Sequence, residues 1–348
     1  MKNSANSYFS VYNSIKDIKN LWQEIYVQNP NFSFYQSQEW NEYLEQKIKT
    51  GFNNLQAEYW VFKKQIIFPL LIDNKQRIIF LLGHNEASDY LSPIYARHNI
   101  VLLKEALIKF CQGSQGYKII FSKIQGQSQL FNILEALKTE GLLSFESKSS
   151  ICMSIDTKTD TPTFYDSLSK SARNTYRTAC NRIKKQGWGI ELSVSNTCLD
   201  TLTSNALYKL YRQRRRDCDP RAAWYKKLIF WVKKALEQTG LYKRIDPLTL
   251  YSRVCPVFLA QIHINGKLAA FCEGALSVDK NTLHIARVAT DKNFYHYSPG
   301  QILFVRVIDQ IKDKVRYFDL TRGNEDYKVK LGARPHYNYS FFDICLRK

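Results

Sequence analysis

Apolar positions recur at helical spacing over residues 15–27, at Ile15, Ile18, Leu21, Trp22 and Ile25. A second helix is predicted from Ser37, a residue suited to capping, with Trp40, Tyr43, Leu44 and Ile48 on one face. Three runs rich in β-branched and aromatic residues follow, at 58–62, 66–72 and 77–82, separated by short polar turns. They read as a meander of strands. A helix over 102–111, a strand over 117–122, a helix over 129–137 and a strand over 152–155 complete the first half.

The second half repeats this grammar. Helices are predicted over 172–186, 199–215 and 224–238, with Gly187 and Gly240 as stops. Strands follow over 257–264, 267–277 and 282–290, and Asn265-Gly266 is the favoured dipeptide of a type I′ hairpin. A loop ending in Ser298-Pro299-Gly300 leads into a helix over 301–312, where Pro299 suits the first turn. A strand over 317–320, a polar loop with a short helix over 322–330, and a strand pair over 337–346 close the chain. The shared order predicts an internal duplication of one α/β unit. The polar segment 157–162 divides it into 1–157 and 158–348.

Composition changes the picture in one respect. Of 348 residues, 45% are hydrophobic and 23% charged, which fits a globular chain of about two domains. Lys and Arg number 50 against 31 Asp and Glu, a net charge of +19. The surplus implies an anionic partner: nucleic acid, an anionic membrane surface, an acidic carrier protein or a phosphate-rich cofactor. Eight widely spaced cysteines, without a C-x-x-C pair, read as buried reduced thiols rather than a zinc or disulfide framework. No apolar run approaches ~18 residues and the start lacks the pattern of a signal peptide. The expectation is a cytoplasmic protein, at most peripheral at the membrane, with no metal.

Candidate chemistry concentrates in the second half. Ser298, Pro299, Gly300 and Gln301 form a small loop opening a helix, where unpaired N–H groups and the helix dipole suit a pyrophosphate. The same residues also suit a plain turn. Asp319, Arg322, Glu325, Tyr327 and Lys328 put acids, a base and a cation directly after a strand. Two residues are candidates for a general base. Glu273 shares a strand face with Ala269, Phe271 and Ala275, unless that face is exposed at the strand end. His284 lies across the next hairpin, with a purely structural role as its alternative. Asp319, at a strand end, is a catalytic candidate that could orient Arg322 or contact the acceptor. Arg287 and Lys328 are candidates for holding phosphate or a carbonyl, and surface ion pairing is the alternative for both. Cys272 alternates to the face opposite Glu273 and has no base placed for it. Lys170, Arg173, Arg177, Arg182, Lys184 and Lys185, then Arg212, Arg214, Arg215 and Arg216, interleave with Tyr176, Tyr208 and Tyr211. That mixture suits a polyanion or an acidic carrier protein. No motif of sequence-specific DNA reading accompanies it.

The order Tyr297-Ser298-Pro299-Gly300, then Asp319-Leu320-Thr321-Arg322-Gly323-Asn324-Glu325-Asp326-Tyr327-Lys328 and Gly332, resembles the acetyltransferase group first described in cellulose biosynthesis. That group lies within the GNAT superfamily and is related to the Fem-type aminoacyl transferases. Residues 169–177 and 31–40 resemble its other segments. The chain departs from the pattern at Asn324, Asp326 and Leu331, where Asp, Pro and Trp are usual.

The resemblance implies tandem GNAT-like folds, each a mixed central sheet flanked by helices, with the second active. It implies an acyl-CoA donor, or an acyl-carrier protein, whose phosphates sit at Ser298, Pro299, Gly300 and Gln301. Backbone N–H groups near Val288, Ala289 and Thr290 would face the acyl oxygen. The acceptor would be an amine, less readily a hydroxyl, on a sugar or cell-envelope precursor. An aminoacyl-tRNA donor and a noncatalytic polyanion-binding protein are the alternatives.

Overall fold

The computed structural model describes residues 8–50, 54–86, 88–217 and 246–347, with 214–217 described by backbone alone. The helix expected over 224–238, its stop at Gly240, Cys218, and the side chains of Arg214, Arg215 and Arg216 lie outside the described residues. The chain is α/β, with mixed β-structure flanked by helices. It packs into two compact units. The first comprises Met1–Asp156, Leu276–His284 and Val315–Lys348, and the second Thr157–Ala275 and Ile285–Lys314.

In the first unit lie β1 (Phe9–Tyr12), β2 (Leu55–Phe62), β3 (Ile66–Asp73), β4 (Ile78–Leu81), β5 (Ile94–Tyr95), β6 (Lys118–Gln125) and β7 (Leu143–Asp156). The unit also holds the first three residues of β11 (Thr282–Thr290), together with β12 (Tyr317–Arg322) and β13 (Arg334–Leu346). The order is β1-β2-β3-β4-β6-β13-β7-β12-β11, with β5 beside β3. The pairs β4–β6 and β11–β12 are parallel. The 276–284 segment is held by β12, where His284 pairs with Asp319, and by the N–H of Val278 donating to the carbonyl of Phe32.

Local signals explain the helices. The Ser37 hydroxyl accepts from the N–H of Trp40 and caps the helix Gln38–Lys49. Ser128 does the same for Gln129–Thr139. Trp22, Trp40, Phe68, Phe110 and Phe121 fill the core, with the Phe68 and Phe110 rings stacked at 4.8 Å.

In the second unit β8 (Ile190–Thr197), β9 (Val257–Ile264) and β10 (Lys267–Leu276) pair antiparallel in that order, and the remainder of β11 follows. Asn265 and Gly266 both take positive φ, 51° and 70°, as a type I′ turn requires. The helices are Phe164–Ser167, Lys170–Lys185, Thr201–Asp217, Pro247–Val254 and Pro299–Ile311. The last buries Ile302, Leu303, Phe304, Val305, Val307 and Ile308. Arg306 ties it down by donating to the carbonyl of Ile190 at 3.2 Å.

Several expectations change. The closing strand pair over 337–346 is one strand, β13, which pairs with β6 and β7 rather than with itself. β7 begins nine residues earlier than expected, because residues 146–151 are all exposed and carry no apolar alternation. β1, β5, β8 and the helix Pro247–Val254 were not anticipated. The seven described cysteines are free, but Cys198 and Cys345 are exposed and Cys180 and Cys255 half-buried; Cys111, Cys152 and Cys272 are buried. Among the described residues, no helix is long and apolar enough to cross a membrane.

Candidate functional site

His284 and Asp319 face each other on the paired strands β11 and β12. Both side chains are buried, and His284 Nδ1 lies 2.7 Å from Asp319 Oδ2. Asp319 Oδ1 accepts from the N–H of Thr321 at 2.8 Å. Burial pushes the Asp319 carboxyl up, but the hydrogen bond and charge of His284, the charge of His336 and a hydrogen bond from Tyr90 outweigh it. The net position is below the usual carboxylate range. An ionised carboxylate only accepts, so the shared hydrogen sits on His284 Nδ1, and in the neutral ring the lone pair is then on Nε2.

Two residues that were not anticipated complete the cluster. Tyr90, at φ 56°, has its ring 5.3 Å from that of His284. Its hydroxyl lies 3.2 Å from His336 Nε2, and burial beside Asp319 holds the phenol well above its usual pKa. His336 Nε2 is 4.0 Å from Asp319 Oδ1; burial lowers its pKa against the pull of Asp319. A cavity of about 860 Å³ opens here within the first unit, and His284, Asp319, Tyr90 and His336 stand in its wall. Amides and hydroxyls make up most of the remainder. Among the described lining residues, Arg334 is the one Lys or Arg side chain, despite the chain's charge of +19.

The other residues of the 319–328 segment form a support behind Asp319. Arg322 Nε pairs with the buried Asp89 at 2.6 Å, and burial pushes Asp89 up to about 6 against that charge. Lys123 is half-buried nearby; its partial burial and Arg322 bring it down to about 8. Lys328 is 2% exposed. Its Nζ donates to the carbonyls of Arg322 at 2.7 Å and Gly323 at 3.1 Å, and pairs with Glu325 at 3.0 Å. Its ammonium is therefore spent on the loop rather than presented at a surface. Tyr327 lies in the short helix Asp326–Lys330, and Leu331, where the resembled group has Trp, is buried.

The second unit holds the remaining predicted residues. Glu273, 1% exposed, accepts from Arg287 Nη1 at 3.1 Å. Arg287 Nη2 pairs with Asp246, and its guanidinium lies over the rings of Tyr211 and Tyr208 at 5.2 and 5.5 Å. Burial pushes Glu273 up to about 7, opposed by Arg287. Arg287 is thus a buried ion-pair centre. Ala289 is buried on β11, between the half-buried Val288 and Thr290.

Ser298 takes φ 47° ahead of Pro299, and Gly300 leaves only 3.3 Å between an added Cβ and Thr290 Oγ1. A cavity of about 680 Å³ lies here within the second unit, lined by Ser298 and by Lys170, Asn174, Thr178 and Arg182 among others. These four recur every fourth residue along the helix Lys170–Lys185 and so share one face. Gln301 Nε2 donates to the carbonyl of Ala172, and Arg182 to that of His296, which ties this helix to the loop. Cations, hydroxyls and a helix N-terminus in one concavity suit phosphate oxygens. The contribution of Lys170 and Arg182 was visible only as part of a basic run. Among the described residues, no group of His, Cys, Asp and Glu is placed to hold a metal.

Comparisons with known proteins agree with this architecture. Residues 170–329 match the model of the acetyltransferase (GNAT) domain. No curated protein matches the sequence. Among solved structures, the chain is similar to FemX, with TM-score 0.57 and 11% identity over 96% of this chain and 97% of that one. It is similar to L-PGS from Bacillus licheniformis, at TM-score 0.54 and 12% identity over 95% and 92%. It is also similar to a conserved protein of unknown function from Bacteroides thetaiotaomicron, at 0.57 and 13% over 98% and 100%. At such identities these likenesses show the fold alone. Residues 170–329 carry an acetyltransferase domain of the GNAT type.

Proposed function

We propose that the protein transfers an acetyl or longer acyl group from a thioester donor to an amine, less readily to a hydroxyl. The match of residues 170–329 to the acetyltransferase domain carries this reading. The donor is assigned as acyl-CoA, with an acyl-carrier protein as the alternative source of the same thioester. Ser298, Pro299, Gly300 and Gln301, with Lys170 and Arg182, hold its phosphates. The bound donor supplies an activated acyl carbonyl. Backbone N–H groups at Val288, Ala289 and Thr290 are assigned to the carbonyl oxygen. His284 Nε2 takes the acceptor's proton, because Asp319 fixes its tautomer and stabilises the imidazolium that forms. Glu273 is assigned to structure, since Arg287 already occupies it.

The motif order supports placing the chain with the cellulose-biosynthesis acetyltransferase group. On that reading the acceptor is a sugar or cell-envelope precursor, and residues 1–157 and 158–348 are tandem copies. A second reading, an aminoacyl-tRNA donor, is favoured by the exposed Arg177, Arg182, Lys184 and Lys185 on one helix. Thiol release from acetyl-CoA, with glucosamine and spermidine as acceptor probes, tests the first. Wild type should release thiol, Gly300→Asp should raise the donor KM, and His284→Gln should lower kcat by about 10²-fold or more. Transfer from charged tRNA with no thiol release from acetyl-CoA would establish the second reading instead.

A further inference from the structure

The loop after β12 is built from unfavourable backbone. Thr321 takes φ 54° and Gly323 φ 101°. A β-branched residue in the left-handed region is an outlier that its surroundings must hold in place. Replacing Gly323 is strained by its φ, while the Glu325 carboxylate, 2.5 Å from an added Cβ, is a flexible side-chain end that can move aside. The carbonyls of Thr321, Arg322 and Gly323 all turn toward one point, which Lys328 Nζ occupies at 3.5, 2.7 and 3.1 Å. The positive-φ residues Thr321 and Gly323 flank Arg322, and the carbonyls of all three surround the ammonium. The same conformation aims the N–H of Thr321 at Asp319 Oδ1.

We infer that Lys328 is a positioning residue for the His284–Asp319 pair. Its ammonium locks the Thr321–Gly323 turn, the turn supplies an N–H to one Asp319 oxygen, and the other oxygen orients His284. This deepens the acyl-transfer reading, because it rests on His284 as the base. Groups facing Asp319 are His284 on β11, His336 on β13, Cys152 on β7, and Tyr90 and Asp89 on the loop before β5. None of them replaces the Thr321 N–H. Without it the carboxylate is a poorer anchor and binds protons more readily.

The test compares wild type, Lys328→Met and the double variant Lys328→Met/Thr321→Gly. Glycine adopts a positive φ without strain, so the strain that the ammonium offsets at Thr321 is removed. Lys328→Met should lower kcat by roughly tenfold to a hundredfold, leave the donor KM within about twofold, and move the acid limb of the pH profile upward. The added Thr321→Gly should restore most of the loss. In ¹⁵N-histidine NMR, the His284 signal should change from a single Nδ1–H tautomer to a mixture in Lys328→Met and return in the double variant. A Lys328→Met protein with an unchanged pH profile and unchanged His284 signals would overturn the inference. So would a double variant that shows no rescue. If Lys328→Met does not fold, Lys328→Gln, which keeps a donor, takes its place in both arms. The NMR arm needs no turnover: absence of acyl transfer by wild type sinks the functional reading, while the His284 signals still decide on Lys328.

Discussion

Replacing Asp319 by Asn tests the centre of the cluster without knowledge of the acceptor. The carboxylate accepts from His284 Nδ1 at 2.7 Å and from the Thr321 N–H at 2.8 Å, in a buried position. A hydrogen bond to a charged group contributes about 1.5–3 kcal/mol. Asparagine keeps one acceptor oxygen and sets an NH₂ against the other donor, so one such bond is lost outright. We expect a destabilisation of about 2–3 kcal/mol at pH 7, read as a lower urea midpoint. The folded Asp319 pKa lies below the ordinary carboxylate value of about 3.9, so its charge contributes fully above that pH. The contribution is lost as pH falls through the folded pKa. The gap between wild type and Asp319→Asn should therefore close on acidification below about pH 4. A gap that is absent at pH 7, or that persists undiminished at pH 3, would show that the carboxylate is not held ionised by His284 and the loop.

Glu273 has the opposite sign. Its folded pKa of about 7 exceeds the unfolded value, so the folded state binds more protons in between and stability falls as pH rises across that window. Glu273→Gln should flatten this slope in melting temperature between about pH 4 and 7; an unchanged slope counts against it. Arg322→Ala leaves Asp89 buried without its pair. It should cost about 1–2 kcal/mol at pH 8, discounted for the partial exposure of Arg322, and less at pH 5 where Asp89 is protonated. Equal losses at both pH values would refute this. Lys170→Ala and Arg182→Ala should each raise the donor KM by roughly threefold to tenfold and weaken its dependence on salt. Unchanged salt dependence would remove that wall from the phosphate site.

Much of the fold is legible in the chain because local signals agree with tertiary demands. Ser37 does cap a helix, Asn265-Gly266 does turn a hairpin, and Pro299 does open the helix that buries Ile302 and Val305. β7 and β13 were read short or split because their ladder is specified by pairing between residues nearly two hundred positions apart. The site divides the same way. His284, Asp319 and the Ser298–Gly300 turn stand beside recognisable strand ends and turns. Tyr90, Asp89 and His336 come from distant loops and an edge of β13, and no local pattern marks them. Lys328 was visible as a cation, but its spacing from Thr321 does not reveal that three carbonyls enclose it. Glu273 was set among apolar neighbours, while its partner Arg287, on the next strand, carries no local mark of the pairing.

The central claim is that the acetyltransferase domain binds an acyl thioester at the Ser298 cradle. Calorimetric titration of the full chain with acetyl-CoA tests it most directly. One equivalent should bind, with affinity that falls as salt rises and is lost in Gly300→Asp. No heat with acetyl-CoA or with longer acyl-CoA thioesters, or equal binding by wild type and Gly300→Asp, would contradict the account.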